Sequence, residues 1–262
     1  MQVSSDVTAT AYREYWGYMN MEPMGEGELY VNNFVSLNAY TRGVAEIKPE
    51  WAKPDWPSYY AIDAVKAQAV SARTYAYAEY SAPGGILTDD TRDICYKGYA
   101  QEVANPGAAQ AAADTNGQIL VYSGVLRKTY FSSHSGGYTS ATPWSDSPPS
   151  WVVSQPDPWS LVAPPAGLCS IEPGYAWTAT VSPSTMATKL IGGGYIDNIG
   201  TITRVEVIAR DTADPNSHAT YLRVTGTGGS DAIAARSFRT LANTACGAFP
   251  NSAYATRLCK KN

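Results

Sequence analysis

The chain has 262 residues, enough for one substantial core or two lobes sharing one, with 44% hydrophobic and 16% charged residues. Its formal net charge of −4 argues against nucleic acid or an anionic membrane as the main partner. An aromatic set of 19 Tyr and 7 Trp against 4 Phe suits surfaces that meet sugars or peptides, as well as ordinary tyrosine-rich strands.

In chain order, residues 9–18 and 28–31 read as an antiparallel pair joined through Gly25 and Gly27, with Asn32 and Asn33 as a turn. Residues 35–42 start a short helix leading to Glu46, and the Pro- and Trp-rich stretch 47–57 forms a loop. Residues 58–80 are the strongest helix: Ile62, Val65, Ala69, Ala72 and Ala76 fall on one face, Ser58 caps the start, and Pro83 with Gly84 and Gly85 stops it. Residues 88–101 are irregular and acidic. Residues 106–114 form a second alanine-rich helix ended by Asn116 and Gly117, and Ser123-Gly124 signals a hairpin between 118–122 and 125–132. The long segment 140–165 carries Trp144, Trp151 and Trp159, which favour an ordered loop. Strands follow at 175–181, 202–209 and 219–225, with helices from Ser182-Pro183 to Leu190 and from a Ser230 cap through Leu241. The expected fold is α+β: antiparallel sheets packed around a central alanine-rich helix, with a long loop-rich segment lining a cleft. The expected organisation is a single domain over 1–262, or two lobes of about 1–165 and 166–262.

The four cysteines allow three pairings. Cys246 with Cys259 closes a short loop and is favoured, with Cys95 to Cys169 following. With only His134 and His218 beside them, no metal site and no cofactor is expected. The chain shows no signal peptide or long apolar run, and Met1 before Gln-Val-Ser-Ser reads as the start of a mature fragment, so export is inferred from the cysteines.

Three constellations can carry chemistry. Glu46 lies among Val44, Ala45 and Ile47, an apolar setting that suits a general acid, although a surface salt bridge is the plainer account. Lys66, Gln68 and Arg73 offer a row of donors on the main helix, where a solvated face is the ordinary explanation. Phe131 to Thr139 ends a strand with serines and a Gly136-Gly137 pair that brings backbone amides close to a ligand. A serine hydrolase built on Ser133 or Ser135, with His134 or His218 as base, is the rival; neither serine lies in a G-x-S-x-G elbow.

Taken together, Tyr40-Thr-Arg-Gly-Val-Ala-Glu46, Ala64-Val-Lys-Ala-Gln-Ala-Val-Ser-Ala-Arg-Thr-Tyr75, Gly117-Gln-Ile-Leu-Val-Tyr122, Phe131 to Thr139 and Ser154-Gln-Pro-Asp-Pro-Trp159 resemble the SpoIID/LytB family. That family comprises stage II sporulation protein D and the amidase enhancers of bacterial cell walls. The resemblance implies peptidoglycan glycan strands as substrate and an extracytoplasmic location. It implies a lytic transglycosylase that cuts between N-acetylmuramic acid and N-acetylglucosamine with Glu46 as the single acid/base, leaving a 1,6-anhydro end. Arg73, Tyr75, Ser133, Ser135, Gly136 and Gly137 would bind substrate by the same resemblance, with Trp151, Trp51 or Trp56 as stacking faces. The alternative it implies is a non-catalytic glycan-binding protein that stimulates a cell-wall amidase. The loop between Glu46 and the main helix is longer than in the family, and Cys95 lacks the neighbours of the zinc cluster that some members carry.

Overall fold

The computed structural model describes residues 2–3, 13–25, 27–47, 49–55, 61–89, 92–132, 135–141, 148–161 and 181–246. Helices and small antiparallel sheets alternate along it, which is the α+β class expected from the pattern. The chain divides into two compact units, Met1–Phe131 and Ser132–Asn262.

The first unit begins with two ribbons. Gln2–Val3 (β1) pairs with Arg13–Glu14 (β2), and Tyr18–Gly25 (β3) pairs with Glu28–Phe34 (β4). The turn falls where the glycines placed it, but β3 starts at Tyr18 rather than ending there. Asn32 and Asn33 lie inside β4 instead of turning. Both strands of a ribbon are edges, so Pro23 is tolerated in β3. The Asn33 amide donates to the carbonyls of Trp16 (2.9 Å) and Tyr18 (3.4 Å), a tertiary use that outweighs its turn propensity.

Helix Leu37–Arg42 (α1) follows, its first turn capped by the Ser36 hydroxyl, which accepts from the Ala39 amide. A 3-10 turn at Pro49–Ala52 leads to the long helix Ile62–Tyr80 (α2), which starts after Ala61 with no side-chain cap, later than the start at the Ser58 cap that the sequence suggested; Ser58 itself lies outside the described residues. Tyr99–Ala104 (α3), which begins within the stretch read as irregular, precedes Pro106–Asp114 (α4), which has the bounds that its alanines and Pro106 signalled. Between α3 and α4, Asn105 accepts from Ala108 N (3.2 Å) and donates to the Ile47 carbonyl (3.1 Å).

Helix α2 buries Val65, Ala69, Ala72 and Ala76 of the stripe read from the sequence, with Ile62 only half-buried, and α4 buries Ala109, Ala111 and Ala112. Small side chains let these backbones approach closely, so α2 is walled by the helices α1 and α4 rather than by sheets. One core cluster joins Ala52, Val65 and Ala111; another stacks Tyr40 on Tyr96, ring centroids 4.7 Å apart, over Ala76.

Beyond α4 the chain runs back along α2. Leu120 N donates to the Thr74 hydroxyl (2.9 Å), the Thr129 hydroxyl donates to the Ser71 carbonyl (2.8 Å), and the Lys128 ammonium lies 2.8 Å from Glu79. Between these ties Val121–Tyr122 (β5) and Val125–Leu126 (β6) form a hairpin shorter than expected. Its turn residues, Ser123 and Gly124, have φ of 51° and 73°, as a type I′ turn requires.

In the second unit Pro183–Leu190 (α5) is capped by Ser182, which accepts from Thr185 N. Ile202–Arg210 (β7), Ala219–Gly226 (β8) and Gly229–Ala234 (β9) form an antiparallel sheet in that order, and Ala235–Cys246 (α6) follows. Ser230 is therefore a strand residue opposite Thr225, not a helix cap. The alternation of exposed Ala232 with buried Ile233 is the period of two that extends the sheet before the helix starts. Leu190, Ile196, Ile199, Ile202, Leu222, Val224 and Ile233 form the core of this unit, covered by Phe238 and Leu241 of α6. The strand expected at 175–181 lies outside the described residues except for Val181.

Cys95 is a free thiol, so the bridge expected to Cys169 is not formed. Cys169, Cys259 and the Cys246 side chain lie outside what is described. Among the described residues no helix is long and apolar enough to cross a membrane.

Candidate functional site

The placement of Glu46 begins with a glycine. Helix α1 ends at Gly43, whose amide donates to the Ala39 and Tyr40 carbonyls at 3.2 and 2.9 Å. A Cβ at Gly43 would stand 2.5 Å from Tyr96 Cε2 and 2.9 Å from the Gly98 carbonyl oxygen, so a larger residue would push the 95–98 segment away. With glycine there, Lys97 N donates to Gly43 O (2.9 Å), Ala45 N donates to Cys95 O (2.8 Å), and Val44 lies opposite Tyr96. Glu46 comes next and is half-buried; its Oε1 accepts the Cys95 amide at 2.8 Å. One carboxylate oxygen is thus fixed by backbone. Behind this segment, Val44 and Ile47 meet Gln68 of α2 around a cavity of about 20 Å³, room for one water, and the buried Gln68 Nε2 has no hydrogen-bond partner among the described residues.

The donor row on α2 separates into different jobs. Lys66 makes a surface pair with Asp114 at 3.3 Å. Arg73, expected to line a cleft, is only 2% exposed. Its guanidinium donates to the carbonyls of Ala112 (2.7 Å), Thr115 (2.8 Å) and Gln118 (3.1 Å), closing off the C-terminal end of α4. Periodicity could not show this, because the acceptors are main-chain atoms of a distant segment.

Tyr75, by contrast, sits in a polar network. Its hydroxyl donates to Asp93 Oδ1 at 2.8 Å, while Asp93 Oδ2 accepts from the Thr88 amide (2.8 Å) and hydroxyl (2.9 Å). Burial works to raise the Asp93 carboxyl, but the Thr88 amide, the Tyr75 hydroxyl and the Thr88 hydroxyl outweigh it and hold the group below its usual range. Burial and the Asp93 bond push Tyr75 up to about 12, so it stays a neutral donor near neutral pH. The Lys128 ammonium lies 4.4 Å from the centroid of its ring. Sequence reasoning missed Asp93 and Lys128, which carry no motif of their own.

The serine-glycine loop belongs to the second unit. Ser133 and His134 lie outside the described residues. Ser135 Oγ donates to Asp157 Oδ2 at 2.7 Å and accepts from Gly137 N at 3.3 Å, and Asp157 N donates to Gly137 O at 2.8 Å. Gly136 and Gly137 have φ of 71° and 105°, conformations that favour glycine. Tyr138 pairs with Pro156, its hydroxyl bonds Asp214, and the Nε2 of His218 lies against the carbonyls of Ser135 and Tyr138. The serine-hydrolase rival finds no support at Ser135, whose hydroxyl donates to a carboxylate while His218 faces carbonyls. Of the tryptophans, Trp151 is half-buried, Trp51 packs against the Ala52–Val65–Ala111 cluster, and Trp56 lies outside the described residues.

Comparison with known proteins gives a match of residues 25–122 to the SpoIID family model, described as Stage II sporulation protein. An uncharacterised protein of Brachyspira hyodysenteriae is 35% identical over 130 residues, 48% of this chain and 33% of that protein. The amidase enhancer of Bacillus subtilis is 31% identical over 137 residues, 52% of this chain and 17% of its own. Stage II sporulation protein D of Bacillus subtilis is 28% identical over 163 residues, 55% of this chain and 46% of its own. The chain thus spans less than half the length of each of these relatives.

Proposed function

From the premise that this chain belongs to the SpoIID family, which residues 25–122 carry, we propose that it acts outside the cytoplasm on the glycan strands of peptidoglycan. The reaction is lytic transglycosylation, with Glu46 as its single acid/base. The observation that carries this reading is the setting of Glu46: a half-buried carboxyl, held through one oxygen by the Cys95 amide, on a segment locked between α1 and residues 95–97.

The chemistry suits one such group. Hydrolytic glycosidases use two carboxyl groups, one to protonate the leaving oxygen and one to activate water or form a covalent bond. In transglycosylation Glu46 gives its proton to the glycosidic oxygen as the C1–O bond of the muramyl residue breaks. The C6 hydroxyl of the same sugar attacks C1, and its proton passes to the Glu46 carboxylate. The products are a free 4-hydroxyl on one fragment and a 1,6-anhydro end on the other, with no water consumed. Tyr75, Ser135, Gly136, Gly137 and Trp151, with Ser133, are proposed to bind the glycan. Arg73 is left out of that set because its guanidinium is committed to α4.

A second reading is favoured by the match to a protein named amidase enhancer: a glycan-binding protein that stimulates an amidase without cutting the strand. Denuded and peptide-bearing glycan strands incubated with the protein separate the two. Fragments one water lighter than hydrolysis products support transglycosylation; intact glycan that co-sediments with the protein supports the enhancer. Glu46→Gln should remove cleavage while leaving binding in place, and a variant that cuts as fast as the parent refutes Glu46 as the acid.

A further inference from the structure

His218 stands immediately before Ala219, the first residue of β8, the central strand of the second unit's sheet. Its own carbonyl accepts from Asp211 N at 2.9 Å, which anchors it to the far side of the β7–β8 connection. From this rigid base its Nε2 reaches the Ser135 carbonyl oxygen at 2.8 Å and the Tyr138 carbonyl oxygen at 2.7 Å. A carbonyl oxygen can only accept, so Nε2 must carry a proton. One N–H is therefore shared by the two ends of the glycine loop.

The shape of the loop follows from that shared donor. Drawing the carbonyls of Ser135 and Tyr138 onto a single atom bends the chain between them, and the positive φ of Gly136 and Gly137 accommodates the bend. The ring edge at Cε1 stands 3.8 Å from where a Cβ on Gly136 would be, so the imidazole also backs the turn sterically. The Ser135–Asp157 and Tyr138–Asp214 bonds hold the side chains at either end of the loop and Asp157 N holds the Gly137 carbonyl, whereas His218 ties the main-chain carbonyls of the two ends to one point.

We propose that His218 is the positioning residue of the Ser135–Tyr138 loop, setting the main-chain curvature on which the loop's grip on glycan depends. The inference rests on the reading that this loop binds the glycan. His218 does not touch the reacting atoms in this role. What it supplies is an N–H at a fixed point, and the side-chain amide introduced by His218→Gln would supply one at nearly the same reach.

The test uses the full chain and purified denuded glycan strands in a co-sedimentation titration, with thermal melting of each variant. His218→Ala should bind glycan about tenfold more weakly, the scale expected when a donor to two carbonyls is lost. His218→Gln should stay within about threefold of the parent. Alanine binding as tightly as the parent overturns the proposal, and so does equal loss in both variants, which would mean that the ring packs rather than donates. Should alanine fail to fold, the parent's long-range imidazole ¹H–¹⁵N spectrum decides: a proton on Nε2 of His218 supports the geometry, and a neutral ring protonated only on Nδ1 refutes it. A parent that does not bind glycan at all refutes the functional reading of the loop, whereas a binding parent matched by His218→Ala refutes the role of His218 alone.

Discussion

Replacing Arg73 by alanine distinguishes a fold-building residue from a ligand-binding one. The guanidinium holds three carbonyls at 2.7, 2.8 and 3.1 Å, those of Ala112, Thr115 and Gln118. Gln118 is exposed and its carbonyl can turn to water; Ala112 and Thr115 are buried. Ala112 O keeps a weaker contact from the Thr115 hydroxyl at 3.3 Å, so it is not wholly orphaned. Thr115 O also keeps the Gln118 amide at 3.0 Å. The under-satisfied Ala112 carbonyl therefore costs about 1–3 kcal/mol, and loss of a cation at the C-terminal end of a helix adds about 0.3–1 kcal/mol. Against this, burial already disfavours the charge and lowers the Arg73 pKa, which offsets part of the sum. The expected destabilisation is about 2 kcal/mol, a substantial share of the roughly 5–15 kcal/mol that holds a domain together. With a urea m-value of roughly 1–3 kcal/mol/M, the midpoint should fall by about 0.7–2 M. Urea titration followed by circular dichroism measures it. An Arg73→Ala protein with an unchanged midpoint and lost glycan binding would refute the reasoning and return Arg73 to the substrate site.

The remaining predictions are smaller in scope. Thr74 is fully buried, and its hydroxyl accepts from Leu120 N while donating to Val70 O at 2.7 Å. Thr74→Val keeps the shape and leaves the Leu120 amide unanswered, so it should cost about 1–3 kcal/mol, whereas Thr74→Ser should cost less; urea midpoints rank the two. Tyr75 is raised from 10.0 to about 12. Below pH 10 it is protonated in both states and its contribution is fully present. Between about pH 10 and 12 the unfolded chain releases the proton that the folded chain keeps, so stability falls as pH rises and this contribution is gone above 12. Tyr75→Phe should flatten that part of the stability–pH curve; parallel slopes for parent and variant between pH 10 and 11.5 would contradict it.

Local signals served the helices well. The stripe on α2, the Pro106 start of α4 and the Ser182-Pro183 start of α5 act through neighbours in sequence, and each helix formed where they placed it. The failures share another cause. Asn33 enters a strand because its amide answers distant carbonyls, and Ser230 joins β9 because β8 offers it a ladder partner. At the candidate site the same division holds. The segment carrying Glu46 was visible as a motif, but its support by Cys95 is 49 positions away in the chain. Asp93, Asp157 and His218 act through tertiary hydrogen bonds that no periodicity encodes.

The hairpin of β5 and β6 has a practical consequence. The chain is pinned to α2 by Leu120 on one side and by Lys128 and Thr129 on the other, so strain introduced at the turn meets these anchors before it reaches the helix. Ser123 and Gly124 at the tip are exposed. Lengthening a flexible loop costs only about 0.6 kcal/mol per doubling. An epitope or a dye-accepting peptide spliced between those two residues therefore gives a handle on the first unit that leaves Glu46 and both alanine-rich helices undisturbed.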